Sequence, residues 1–154
     1  DTNKAWRDGW FHTGDIVRKD RFGYLYFIDR KKNIIRRSGE NISSAEVEDN
    51  LLSITKIKNV AVCSYPHKVY EEEIIAFIIL KDVSNANLVF SKRILYLLSK
   101  KLVYFKLPAY IQYTDELPLT SSQKIRKADL MQKINNENKS KFFDLSDYKK
   151  LFKN

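Results

Sequence analysis

Ile74-Ile75-Ala76-Phe77-Ile78-Ile79-Leu80 is the stretch on which the fold turns. A run of apolar residues, rich in β-branched side chains and without polar alternation, reads as a strand covered on both faces. Upstream, Val60-Ala61-Val62-Cys63-Ser64-Tyr65 reads as a second strand. Before it, Ser43 opens a helix. Its hydroxyl, with Glu46 three residues on, makes a capping-box pattern, and Val47, Leu51 and Ile54 then share one face. Downstream, Ser91 is expected to cap a second helix whose buried side carries Ile94, Leu95, Leu98 and Leu102. Pro108 starts an extended piece, Ala109-Tyr110-Ile111-Gln112-Tyr113, and Leu117 to Gln123 is a polar loop. From Lys124 the chain leads into a helix through Leu130 and Ile134. This order predicts an α+β fold, a small β-sheet flanked by helices.

Toward the N-terminus, residues 10–29 read as short strands broken by turns. Ile16-Val17-Arg18, the turn Asp20-Arg21-Phe22-Gly23, and Tyr24-Leu25-Tyr26-Phe27-Ile28 together predict a hairpin. Asn33 to Arg37 is another short strand, and Ser38-Gly39-Glu40-Asn41 is a turn in which Gly39 is free to take positive φ. Residues 135–154 form a tail. Its start, Asn135-Asn136-Glu137-Asn138-Lys139, reads as flexible, whereas Phe142, Phe143, Leu145, Tyr148, Leu151 and Phe152 can dock a final amphipathic turn.

Hydrophobic residues make up 44% of the 154, enough for a packed core. No apolar run is long enough to span a bilayer as a helix. The opening Asp1-Thr2-Asn3-Lys4-Ala5-Trp6 lacks the plan of a secretion signal and an initiator Met, so the chain is expected to begin inside a longer protein. The single cysteine, Cys63, excludes an internal disulfide and a multi-cysteine zinc site; a buried thiol in a cytoplasmic protein is the expectation. The net charge of +9 favours anionic partners, whether nucleic acid, acidic lipid or a phosphorylated small molecule, unless it is simply a solvated lysine-rich surface. The basic clusters are short and carry no interleaved aromatic signature of RNA-binding sheets, so nucleic acid is not the expected partner.

Read residue by residue, the chain contains no self-contained active site. His12 and His67 lack metal-ligand spacing, so no metal site is assigned. There is no nucleophile elbow, P-loop or Gly-rich dinucleotide loop.

Three motifs in order add what the residues alone do not. Gly9-Trp10-Phe11-His12-Thr13-Gly14-Asp15 resembles the T-G-D motif of the adenylate-forming superfamily, which includes acyl- and aryl-CoA synthetases, luciferases and peptide-synthetase adenylation domains. Phe27 through Ile42, with Asp29-Arg30-Lys31-Lys32 and Arg37-Ser38-Gly39-Glu40-Asn41, is similar to the superfamily's hinge and gate, followed at the usual distance by Glu46-Val47-Glu48. Pro118-Leu119-Thr120-Ser121-Ser122-Gln123-Lys124-Ile125-Arg126-Lys127 resembles its lysine loop, and Tyr104-Phe105-Lys106-Leu107-Pro108 resembles the segment upstream. The likeness covers about residues 5–131. It is nearest in character to carnitine/crotonobetaine-CoA ligases and fatty acyl-CoA synthetases. A carrier-protein-loading adenylation domain is a rival within the superfamily, and a non-catalytic basic module derived from such a lid is a rival outside it.

The resemblance implies the mobile C-terminal lid of an AMP-forming acyl-CoA synthetase. Residues 1–30 would be strands ending the large N-terminal domain, 31–134 the lid, and 135–154 the tail. Asp15 would accept the ribose hydroxyls of ATP, and Arg30 would add a cationic contact on the nucleotide. Lys32 would be the hinge whose φ and ψ absorb lid rotation. Lys124 would be the catalytic lysine, meeting the acyl carboxylate and the α-phosphate where charge gathers in the transition state. Ser38, Gly39, Glu40 and Asn41 would line the pantetheine tunnel. ATP, Mg2+ and CoA are the implied cosubstrates, with ATP and Mg2+ bound mainly by the N-terminal domain, so this piece alone is expected to be inactive. One position departs from the pattern: relatives usually carry Gly immediately before the lysine, where this chain has Gln123.

Overall fold

The computed structural model describes residues 5–136 and 142–153. The chain opens with two antiparallel hairpins, β1 (Trp6–Arg7) with β2 (Trp10–Phe11) and β3 (Asp15–Lys19) with β4 (Leu25–Arg30). The second is the expected hairpin. Asp20 turns it by accepting the amides of Phe22 at 2.9 Å and Tyr24 at 3.0 Å through Oδ1. Both hairpins leave large apolar side chains in solvent, Trp10, Phe22, Leu25 and Phe27 among them.

A one-turn 3-10 helix, Lys31–Asn33, connects β4 to a six-stranded sheet. Its strands are β5 (Ile34–Arg37), β6 (Glu40–Ser43), β7 (Ile57–His67), β8 (Glu71–Leu80), β9 (Tyr110–Tyr113) and β10 (Phe143–Asp144). The helices are α1 (Ser44–Leu52), α2 (Leu88–Leu98), α3 (Lys127–Asn136) and α4 (Ser146–Lys150). β8 pairs antiparallel with β7 along its length and parallel with β9, and β10 extends the sheet beyond β9. The unbroken apolarity of β8 has its cause in this position. Ile74, Ala76 and Ile78 join Val47, Leu51, Ile94 and Leu95 in one core, while Ile75 and Phe77 join Ala61, Leu130 and Ile134 in the other. Cys63 lies in the second core, and burial pushes its thiol up to about 12.

Local chemistry differs from expectation in three places. The turn after β5 is only Ser38–Gly39, with φ of 48° and 83°, and Glu40 and Asn41 already belong to β6. Two central residues at positive φ match the right-handed twist of the flanking strands. Ser43 caps α1 as expected, accepting the Glu46 amide at 3.3 Å. The reciprocal half of the capping box is replaced, because the Glu46 carboxylate grips Lys106 Nζ at 2.7 Å. The cap of α2 is Asn87 and not Ser91: the Asn87 side chain accepts the Phe90 amide at 2.9 Å. Ser91 lies one turn inside the helix, bonded to the Asn87 carbonyl and the Tyr113 hydroxyl, both at 2.9 Å.

The C-terminal segment also docks. β10 pairs Phe143 with Ile111, and Leu145, Tyr148 and Phe152 pack on the first core while Phe142 packs on the second. Leu151 stays exposed. Asn135 and Asn136 continue α3, and the rest of the polar stretch expected to be flexible, residues 137–139, lies outside the described residues.

Candidate functional site

Asp15 and Arg30 meet. They are cross-strand partners at the open end of the β3–β4 hairpin, and Arg30 Nε lies 3.2 Å from Asp15 Oδ1. Gly14, at φ of 76°, bends the chain into β3, and its carbonyl accepts the Lys31 amide at 2.7 Å. Thr13 Oγ1 accepts the Asp15 amide at 3.2 Å. These contacts fix the T-G-D segment against the start of the hinge. Around them opens a recess of about 610 Å3 lined by Thr13, Gly14, Arg30, Lys31, Lys32 and Arg36, with Glu72 as its one acidic wall. A cationic recess beside a carboxylate suits a phosphorylated ligand that also carries hydroxyl groups. Lys32, in the 3-10 helix, is exposed on its rim.

Asp29, next to Arg30, was not singled out by the sequence. Its buried carboxylate accepts the amides of Arg30 at 2.7 Å and Ala45 at 3.1 Å, the hydroxyls of Ser43 at 2.9 Å and Ser44 at 3.2 Å, and Asn33 Nδ2 at 3.2 Å. Burial works against the charge, but the Ala45 and Arg30 amides and the Ser43 hydroxyl outweigh it and hold this carboxyl below its ordinary range. Asp29 thus binds the end of β4 to the N-terminus of α1. A charged residue breaking the apolar run of β4, ahead of the Ser43-Ser44 pair, was the available signal.

The gate residues Ser38, Gly39, Glu40 and Asn41 project into solvent at the tip of the β5–β6 hairpin. Beneath them Arg37 is buried, with its Nε 2.8 Å from Glu73 Oε2 and its guanidinium over the rings of Tyr70 and Tyr104, at 4.2 Å and 5.5 Å. Burial opposes the Arg37 charge, yet the Glu73 carboxylate outweighs it and raises the guanidinium's pKa above its ordinary value.

Lys124 sits on a closed loop between β9 and α3. Leu119 and Ile125 form a β-bridge, the Thr120 amide donates to the Lys124 carbonyl at 2.7 Å, and Thr120 Oγ1 accepts the Lys124 amide at 3.1 Å. Gln123 takes φ of 62°, the left-handed region where glycine is at ease. The loop's exit is anchored by Lys127, whose Nζ reaches Glu48 at 2.8 Å and Ser44 Oγ at 2.7 Å on α1. Lys124 itself is exposed. The structure therefore pairs Asp15 with Arg30, places Arg30 and Lys32 on one recess, and presents the gate turn and Lys124 elsewhere on the surface.

The family model for the AMP-binding enzyme C-terminal domain matches residues 46–124, about half of the chain. The chain belongs to the AMP-binding enzyme C-terminal domain family. The match ends on Lys124 and begins just after the gate turn. Among relatives of this domain, a crotonobetaine/carnitine–CoA ligase of Proteus sp. (strain LE138) is 36% identical over 123 residues, 80% of this chain and 23% of the relative. The chain thus spans about a quarter of the length of the curated relatives it matches. Among solved structures, an o-succinylbenzoate CoA synthetase of Bacillus subtilis in complex with its acyl-adenylate intermediate superposes with a TM-score of 0.73 at 31% identity, over 83% of this chain and 25% of that one. ATP-bound MatB from Rhodopseudomonas palustris superposes with a TM-score of 0.74 at 26% identity, over 86% and 26%. The family expected from the three motifs, and the α+β fold, are both borne out. No helix among the described residues is long and apolar enough to cross a membrane.

Proposed function

We propose that this C-terminal domain is the lid of an acid–thiol ligase that works in two half-reactions. A carboxylate oxygen of the acid attacks the α-phosphorus of ATP and pyrophosphate leaves. The CoA sulfur then attacks the acyl carbon of the acyl-adenylate, AMP leaves, and the thiol proton passes to solvent. The observation that carries this reading is the Asp15–Arg30 pair at 3.2 Å, built on a hairpin that runs directly into the hinge turn and then the gate turn. Asp15 binds the ribose hydroxyls of ATP, Arg30 contacts the nucleotide, and Mg2+ accompanies ATP on the larger domain. Lys32 is the hinge, Lys124 serves adenylation, and Ser38, Gly39, Glu40 and Asn41 admit the pantetheine thiol.

Residues 1–30 end a larger domain, 31–134 form the lid and 135–154 its tail. The exposed apolar side chains on both hairpins support that boundary, since a two-stranded ribbon with uncovered Trp10, Leu25 and Phe27 needs further polypeptide to bury them. The closed Lys124 loop supports the catalytic reading, because Gln123 adopts the φ that glycine would take there. A cytoplasmic setting, where ATP and reduced thiols coexist, fits the single free cysteine.

The test supplies the complete polypeptide with ATP, Mg2+, CoA and a panel of carboxylic acids. AMP and acyl-CoA are the expected products, and the 154-residue chain alone gives no ATP–pyrophosphate exchange. Release of ADP in place of AMP, or exchange by the isolated chain, contradicts the proposal. Salt-sensitive binding to nucleic acid, indifferent to CoA, would instead support a non-catalytic basic module.

A further inference from the structure

The Glu73 carboxylate is buried near the start of the central strand β8 and takes a cation on each oxygen. Arg37 Nε lies 2.8 Å from Oε2, and Lys149 Nζ lies 2.7 Å from Oε1. Oε1 also accepts the Ile74 amide at 2.9 Å. All three charged side chains are at most 5% exposed. A buried ion trio is a costly way to fill a core, and removing one member leaves the others uncompensated. Its placement gives it a use.

Arg37 is the last residue of β5, directly before the gate turn. The β5–β6 hairpin pairs with β8 at a single ladder position, Arg37 with Glu71, and the Arg36 amide donates to the Glu72 carboxylate at 2.7 Å. Close by, the Ser38 amide donates to the Tyr70 carbonyl at 3.2 Å, and the Tyr70 ring lies 4.2 Å from the Arg37 guanidinium. The gate end of the hairpin is therefore held to the sheet through Arg36, Arg37 and Ser38, of which only Arg37 reaches the buried charges. Glu73 fixes Arg37, and Lys149 fixes Glu73. Lys149 arrives from α4, a five-residue helix in a segment added to the sheet by the two residues of β10.

We propose that Lys149 is a positioning residue, reaching from the C-terminal helix to Glu73 so that Arg37 holds the Ser38–Gly39 turn in the shape the acyl-transfer step needs. The C-terminal segment is then a brace for the thiol gate as well as a cover for the core. The catalytic part of this statement rests on the proposed ligase function; the structural part does not.

The test uses Lys149→Met, which keeps length and removes charge, and Lys149→Gln, which keeps a hydrogen-bond donor. In the 154-residue chain, hydrogen exchange should rise about tenfold or more at Ser38 to Asn41 in Lys149→Met, while the β7–β8 ladder stays protected. In the complete enzyme, thioester formation from supplied acyl-adenylate should fall about tenfold in kcat, with ATP–pyrophosphate exchange within about twofold of wild type, a change of ~1.4 kcal/mol in one half-reaction only. Lys149→Gln should recover part of both effects. Unchanged exchange at the gate turn, or an equal rise across β7 and β8, overturns the proposal, as does equal loss of both half-reactions. Gate loosening in Lys149→Met, together with an unmutated enzyme that makes no acyl-CoA, would sustain the brace and sink the ligase reading instead. If Lys149→Met does not fold, Glu73→Gln is read by the same criteria, and collapse of both assigns the trio to stability alone and ends the proposal.

Discussion

The carboxylate of Asp29 accepts the amide of Ala45 at 3.1 Å, so the residue before Arg30 caps the helix that follows the gate turn. One buried side chain thereby ties the hairpin carrying Asp15 and Arg30 to the helix that anchors the lysine loop through Lys127. Asp29→Asn keeps the shape but sets an amide against donors. It should lower unfolding stability by about 1–3 kcal/mol in urea titrations. The depressed Asp29 carboxyl stabilises the fold above the ordinary carboxylate pKa, and that contribution is lost as pH falls through its lowered value. The variant should lack this part of the acid dependence. Equal stability at neutral pH would contradict the capping role.

Gln123 makes a second, opposite prediction. An L-residue at φ of 62° carries strain of roughly 1–2 kcal/mol, which glycine does not. Gln123→Gly should leave thermal stability unchanged or raise it, since relieved strain offsets the added freedom of the unfolded chain. Gln123→Val should lower stability by about 1–2 kcal/mol, because a β-branched side chain is worst at positive φ. Calorimetry separates the two, and equal loss in both would show that the loop depends on the Gln side chain itself.

Lys149 sets a pH dependence whose sign is unusual for a salt-bridged group. Burial lowers its pKa to about 8, with Glu73 pulling the other way and Arg37 adding to the depression. Between pH 8 and the unfolded value of 10.5 the unfolded chain binds more protons, so this group makes stability rise with pH. The gain is on the order of 3 kcal/mol across that window. Urea midpoints followed from pH 7 to 10 should rise for wild type relative to Lys149→Met. Parallel profiles would mean that Lys149 stays charged throughout.

The fold was largely legible because its strongest signals are collective. The unbroken run Ile74 to Leu80 required cover on both faces, and the structure supplies a core on each. The Ser43 cap and the Val47–Leu51 face followed from local rules. Less legible were choices between near-equivalent local partners. Asn87 and Ser91 both suit an N-cap, and the apolar residues from Leu88 onward decide for the earlier one. Glu46 has the right spacing to close a capping box, but a lysine sixty positions away takes its carboxylate. Least legible were Asp29, Glu73 and Lys149, single charges whose meaning comes from partners distant in sequence. At the candidate site, the motif order located Asp15 and Arg30, and the structure pairs them.

The most direct test of the proposed ligase is Lys124→Ala in the complete polypeptide, with the two half-reactions measured separately. The lysine is exposed on a loop whose shape is fixed by backbone bonds, so the substitution should leave the fold intact. ATP–pyrophosphate exchange should fall by at least about a hundredfold, as expected when a charge stabilising the transition state is removed. Thioester formation from supplied acyl-adenylate should stay within about threefold of wild type. Equal loss in both half-reactions, or undiminished exchange, would contradict the role assigned to Lys124.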